Sequence, residues 1–285
     1  MPMRAPETLL PADAPVVFRG NLEALRASPH YSAVDAWLRS LAGANPQHAE
    51  ALISLLERTD EVWGALVTTG AGEIRPVVIA RGRFTRDDAR RIIESADPPA
   101  TPAMRAGVTL HYRGDEAFSL VGDHTMIIGA RGAVEGALDL QESGNGTGPT
   151  DPVVTSAMDR IGFRQAALGL SARVTESIYQ ELQLPSMLYS SLESASFAVN
   201  VDDAVHGAFR VRTSSSMVAA TLVALGRGQL AEARRQPEIA ALGLSALFDG
   251  LTLSSEGQEA WARLELAGAD VASIVGSITA LFGSR

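Results

Sequence analysis

Two stretches of this 285-residue chain follow one pattern. Val108-Thr-Leu-His-Tyr-Arg-Gly-Asp-Glu-Ala-Phe118 and Leu251-Thr-Leu-Ser-Ser-Glu-Gly-Gln-Glu-Ala-Trp261 both read apolar-Thr-Leu, a polar stretch, then Gly-x-Glu-Ala-aromatic. Such a duplication constrains the fold more than any single motif, because one order of elements must then be built twice.

Hydrophobic periodicity supplies that order. In the first half it predicts a strand over 16–22, helices over 31–41 and 48–58, and a hairpin of runs 62–69 and 74–81 around Gly70-Ala-Gly-Glu73. A helix opens at Thr85, with Asp88 three residues on as its capping-box acid. The Pro-rich stretch 96–106 reads as a loop, followed by strands over 108–112, 117–121 and 125–128 and a helix over 133–140. The second half gives a strand over 166–172, helix over 174–192, a hairpin of 196–201 and 205–212, helices over 216–225 and 227–247, a hairpin over 251–266 and a last helix over 270–282. The fold class is therefore α+β: two tandem β-α-ββ-α-ββ-α repeats, antiparallel sheets covered by helices. Residues 1–14 read as an extended leader, 15–142 as the first repeat, 143–150 as a Gly-rich linker and 151–285 as the second repeat.

The chain is 46% hydrophobic and 20% charged, in the range of a folded globular protein. Its net charge of −9 has the wrong sign for broad contact with nucleic-acid phosphates. There is no cysteine, which excludes disulfides, thiolate nucleophiles and Cys-ligated zinc. No stretch approaches the roughly 20 apolar residues of a membrane-spanning helix. The start Met1-Pro-Met-Arg-Ala-Pro-Glu-Thr-Leu-Leu-Pro-Ala-Asp-Ala-Pro15 is the kind of segment that follows a removed export signal or lipid anchor.

Motifs that carry chemistry are scarce. His30, His48, His111, His124 and His206 show no metal-ligand spacing, so neither a metal nor a cofactor is expected. There is no Gly-x-Ser-x-Gly, Ser-x-x-Lys, Gly-x-Gly-x-x-Gly or P-loop. Asp123-His124 could form an acid–base pair, but Gly122-Asp-His124 between apolar runs reads first as a hairpin turn. Ser214-Ser-Ser216 reads as a helix cap. Glu116 and Glu259 are the matched carboxylates of the repeat. They suit strand-start acids, and glycosidase-type acids in an inter-repeat cleft are the catalytic alternative. No catalytic residue is assigned.

Two features point to binding. Arg81, Arg83, Arg86, Arg90 and Arg91 form the one local basic cluster, with Asp87 and Asp88 interleaved; a salt-bridged helix face competes with an anion-binding site on Arg83, Arg86 and Arg90. The last helix carries no charge over 271–282. Val271, Ile274, Val275, Ile278, Leu281 and Phe282 form an apolar stripe, either core or a docking face.

The Leu-Pro-Ala-Asp-Ala-Pro start, the run Val121-Gly-Asp-His-Thr-Met-Ile-Ile-Gly129 and the doubled layout together resemble uncharacterised exported, lipoprotein-type proteins of high-GC Gram-negative bacteria. That resemblance covers most of the chain on generic motifs. It implies a periplasmic or cell-envelope location, with cytoplasm as the alternative, and peripheral or lipid-anchored membrane association. It carries over no catalytic residue. The function expected first is a non-catalytic envelope binding or scaffold protein with a protein partner. A carrier of a hydrophobic ligand such as lipid is the second reading, and a hydrolase using carboxylates is the third.

Overall fold

The computed structural model describes residues 4–32, 35, 55–68, 73–85, 87–88, 90, 99–122, 124–176, 191–241, 243–271 and 273–274. The chain divides into two compact units. The first joins 1–23 with 50–156, and the second joins 24–49 with 157–285.

The first unit contributes seven antiparallel strands: β1 (Val16–Asn21), β2 (Thr59–Thr68), β3 (Ile74–Gly82), β4 (Thr101–Arg105), β5 (Val108–Arg113), β6 (Glu116–Val121) and β7 (Thr125–Ala130), in spatial order β1-β2-β3-β7-β6-β5-β4. Successive side chains in a strand point to opposite faces, so the register sorts them into rows. On one face, Trp63, Ile79, Ile127, Ser119 and Leu110 lie opposite one another across five strands, and all are buried. On the other, Val62, Ala80, Met126 and Leu120 line up and pack with Phe84, Phe118 and Leu55.

Short helix α1 (Leu22–Ala27) follows β1, and α2 (Arg131–Ser143) follows β7. Helix α2 buries Val134, Ala137, Leu138 and Gln141, a stripe at helical spacing. It ends at Gly144, whose left-handed φ of 73° lets its N–H reach the Leu140 carbonyl. The predicted capping box forms: the Asp88 backbone N–H donates to Thr85 Oγ1 at 3.2 Å, and the Thr85 N–H donates to the Asp88 carboxylate at 2.8 Å.

Three expectations need correction here. The N-terminal leader is not extended throughout: Pro6–Leu9 forms a 3-10 turn, and Leu9, Leu10 and Ala14 are buried. The Gly-rich 143–150 stretch lies within the first unit and packs on that turn rather than spanning between units. The Thr150 N–H donates to the Ala12 carbonyl at 2.8 Å, and a Cβ at Gly146 would stand 2.0 Å from the Thr8 carbonyl oxygen. Its glycines serve close backbone approach, not flexibility. The Pro-rich 96–106 segment contains strand β4. Pro102 fits because β4 is the last strand in the order, where a missing N–H breaks no ladder bond.

After α3 (Pro152–Arg160), the second unit contributes β8 (Leu168–Arg173), β9 (Leu192–Val201), β10 (Ala204–Thr213), β11 (Leu251–Glu256) and β12 (Glu259–Ala267), antiparallel in the order β11-β12-β10-β9-β8. Between β10 and β11 run α4 (Ser216–Ala233), α5 (Pro237–Ala241) and α6 (Ser245–Asp249). Ser215 caps α4 by accepting from the Val218 N–H, as the serine run suggested. Ala219 and Val223 of α4 pack on Ala260 of β12. Most of the expected helix over 174–192 lies outside the described residues, although β9 already begins at Leu192.

The matched eleven-residue segments both fold into hairpins with two-residue turns. Gly114 (φ 58°) and Gly257 (φ 57°) take the first turn position, where glycine meets no steric penalty. Yet the hairpins stand at different places. In the first unit β3 pairs with β7, and the matched hairpin is β5–β6. In the second, β10 pairs directly with β12 of the matched hairpin. Residues 101–130 also hold four strands. The short match is thus a turn signature, and the β-α-ββ-α-ββ-α order does not describe the first unit.

Gly64 shows how tightly the first sheet is tuned. A Cβ there would fall 2.0 Å from the Phe18 ring of the neighbouring strand. Gly64→Ala is expected to lower unfolding free energy by about 1–3 kcal/mol in urea titrations. Combined with Phe18→Leu, it should cost less than the sum of the two single changes.

Candidate functional site

In the first unit the buried row ending in Trp63 is followed by a polar one: Asn21, Glu61 and Arg81 lie opposite one another on β1, β2 and β3. Here a cleft of about 490 Å³ opens, lined by Arg19, Asn21, Glu23, Asp60, Glu61, Arg81, Gly82, Arg83 and His124. The strands fix most of these positions. The Gly82 N–H donates to the His124 carbonyl at 2.9 Å, and the Arg83 N–H donates to the Arg58 carbonyl at 2.8 Å. The chain on either side of Gly82 is therefore anchored, and Arg81 and Arg83 project from a rigid support.

The charges are not all paired alike. Glu61 accepts from Arg19 at 3.0 Å and from the Trp63 indole N–H at 2.8 Å, so it is committed. Arg19 also stacks over the Trp63 ring at 5.6 Å. Arg81 and Arg83 are exposed and hold no ion pair among the described residues. The cleft can therefore accept an anionic group on two guanidiniums, while Glu23 and Asp60 at its rim discriminate against a densely anionic one.

Arg83 is the member of the sequence-predicted anion site that the structure places in this cleft. Arg90 pairs with Asp87 at 3.6 Å, and Arg86 lies outside the described residues. Asp88 is committed to its capping box and to Arg58. Burial opposes its ionisation, but hydrogen bonds from Thr85 and Arg58 outweigh that and hold its carboxyl below the usual range. Val271 and Ile274 are buried against Leu266, with Val205, Leu244 and Leu247 around them, so these two serve the core rather than an exposed docking face. Val275, Ile278, Leu281 and Phe282 lie outside the described residues.

The two matched carboxylates are both engaged. Glu116, in the first unit, accepts from Arg113 at 2.5 Å. Glu259, in the second, is 6% exposed and accepts from Arg210 at 2.5 Å and Arg160 at 3.1 Å. The Arg210 hydrogen bond chiefly, against the opposing effect of burial, drives the Glu259 carboxyl down to about 2. A general acid needs the opposite shift. Asp123 lies outside the described residues, and its neighbour His124 lines the cleft. Arg81, like Arg83 a member of the local basic cluster, lines the cleft; Arg19 and Arg210 carried no sequence signal, because each meets its own partners only through strand register.

Fold and site together define an α+β protein of antiparallel strands with a charged cleft. No family model matches the sequence, and no curated protein does. Solved structures of TP0453 share its fold. Crystal form III aligns with a TM-score of 0.61 and 11% identity over 96% of this chain and 98% of TP0453. Form IV gives 0.59 and 12% over 95% and 96%, and form I gives 0.53 and 12% over 96% and 97%. At such identity the likeness is one of fold alone. Among the described residues, no helix is long and apolar enough to cross a membrane.

The folded Glu259 carboxyl titrates near 2 against an ordinary 4.5, so its ion pair adds stability above pH 4.5 that is lost as pH falls through 2. Glu259→Gln is expected to lower unfolding free energy at pH 7 by about 3 kcal/mol, because it leaves Arg210 buried without its carboxylate. Chemical denaturation from pH 7 to 2 should show the difference from wild type shrinking across that acid window.

Proposed function

We propose that the chain is a non-catalytic binding protein of the cell envelope, and that the first unit's cleft receives an acidic group of a protein partner. The observation that supports this reading is the pair Arg81 and Arg83, held on one anchored segment of β3 and its exit, exposed and without an ion pair among the described residues. Arginine presents a planar fork suited to carboxylates, and a half-open cleft admits a protruding side chain. The envelope location is part of the proposal and rests on the sequence resemblance. A duplicated origin of the two units is a further part. It draws support from the shared runs β1-β2-β3-β7-β6 and β8-β9-β10-β12-β11, not from the eleven-residue match.

The polar lining of the cleft favours this over an apolar ligand at the same place. For the hydrophobic carrier, the favourable observation lies in the second unit. There Phe209 is 45% exposed in the middle of β10, opposite Phe197 and Ala262.

The test is cross-linking capture from an envelope extract with wild type and with an Arg81→Glu, Arg83→Glu variant, the captured proteins being quantified by mass spectrometry. A specific partner should fall by about tenfold or more with the charge-reversed cleft, and should fall again as salt rises. Equal recovery by both proteins, with circular dichroism showing both folded, would refute the assignment.

A further inference from the structure

The second unit hides a row of polar groups beneath its sheet. Ser171, Ser196, Arg210 and Trp261 lie opposite one another on β8, β9, β10 and β12, and Ser194 and Glu259 flank them on the same face. All six are buried. Arg210 is 1% exposed, and the three serines are fully enclosed. Phe163 helps close this face, since a Cβ at Gly169 would stand 2.8 Å from its ring.

The row contains hydrogen-bonding groups left unsatisfied among the described residues. Arg210 spends its Nη2 on Glu259, while its Nε and Nη1 have no partner there. Neither do Ser194 Oγ, Ser196 Oγ and the Trp261 indole nitrogen. Buried polar atoms are nearly always paired, so several orphans on adjoining positions of one face ask for a common cause. Their chemistry is one-sided. Guanidinium and indole N–H groups only donate, and only the serine oxygens can accept. A water supplies two hydrogens with its two lone pairs and leaves that imbalance unchanged. A guest that only accepts removes it. The charge points the same way, because Arg210 and the rim residue Arg160 share the single carboxylate of Glu259.

We propose that this row is an internal binding site for a small, acceptor-only monoanion, of the size of a halide or formate. The near-zero exposure of its lining favours a small guest. Arg210 Nε and Nη1 supply the charge-assisted donors, and the hydroxyls and indole N–H complete the shell. The site is independent of the cleft in the first unit, so either assignment can fail without the other.

The experiment is calorimetric melting of the full chain in bromide, chloride, formate or phosphate, each titrated against methanesulfonate at constant ionic strength. Bromide or formate should raise Tm saturably, by about 2–4 °C at high occupancy, and phosphate should not. Ser196→Ala and Trp261→Phe each remove one orphan donor, the first with little change of volume and the second keeping an aromatic ring at the position. Both variants should fold, and their half-saturating anion concentration should rise several-fold. Crystals grown in bromide should show an anomalous peak beside Arg210. A Tm indifferent to anion identity, titrations unchanged in both variants, or ordered water alone beside Arg210 would each overturn the proposal.

Discussion

Register in β10 governs the second unit. The side chains of Phe209 and Val211 leave one face of the strand, and those of Ala208, Arg210 and Arg212 leave the other. A slip of one residue would turn Arg210 to solvent, but it would also reverse every other side chain on the strand. Nine residue pairs tie β10 to β12, and nine more tie it to β9. That ladder holds a guanidinium in a place it would not choose alone. Glu259 on β12 then answers the charge from the neighbouring strand, and Arg160 reaches the same carboxylate from α3. Removing Glu259 leaves Arg210 buried without a counter-ion, whereas Glu259 keeps Arg160 if Arg210 is removed.

The first unit resolves the same tension at its margin instead of inside. Its covered row, Trp63 through Leu110, is apolar apart from Ser119, whose hydroxyl donates to the Thr109 carbonyl at 3.0 Å. One row further along, charge appears where the cover ends. Arg19 bridges the two regimes: its guanidinium lies over Trp63 and reaches Glu61. The cleft is therefore a boundary between core and solvent drawn by strand alternation.

Much of this architecture is legible in the sequence. Alternating runs mark β2–β3 and β9–β10, and the Thr85–Asp88 spacing foretells a cap that forms with both reciprocal bonds. Two-residue glycine turns announce β5–β6 and β11–β12. What fails is meaning carried by context. Pro102 signals a loop until its strand proves to be the last in the order. Glycines 144, 146 and 148 signal a linker until Arg4, Thr8 and Glu7 are found beside them. Arg81 and Arg83 were visible because they sit in a local cluster. Arg19 was not, because its proximity depends on pairing across residues distant in sequence. Arg210 was the least legible, since an arginine between Phe209 and Val211 reads as the solvent side of an alternating strand.

The packing of the N-terminal turn has a consequence for how this molecule can be tethered. The Arg4 backbone N–H donates to Gln141 at 3.3 Å, and Leu9 and Leu10 are buried. The chain is thus fastened well ahead of its first strand. Any anchor, tag or surface joined upstream of residue 4 would reach the first unit beside the C-terminal end of α2.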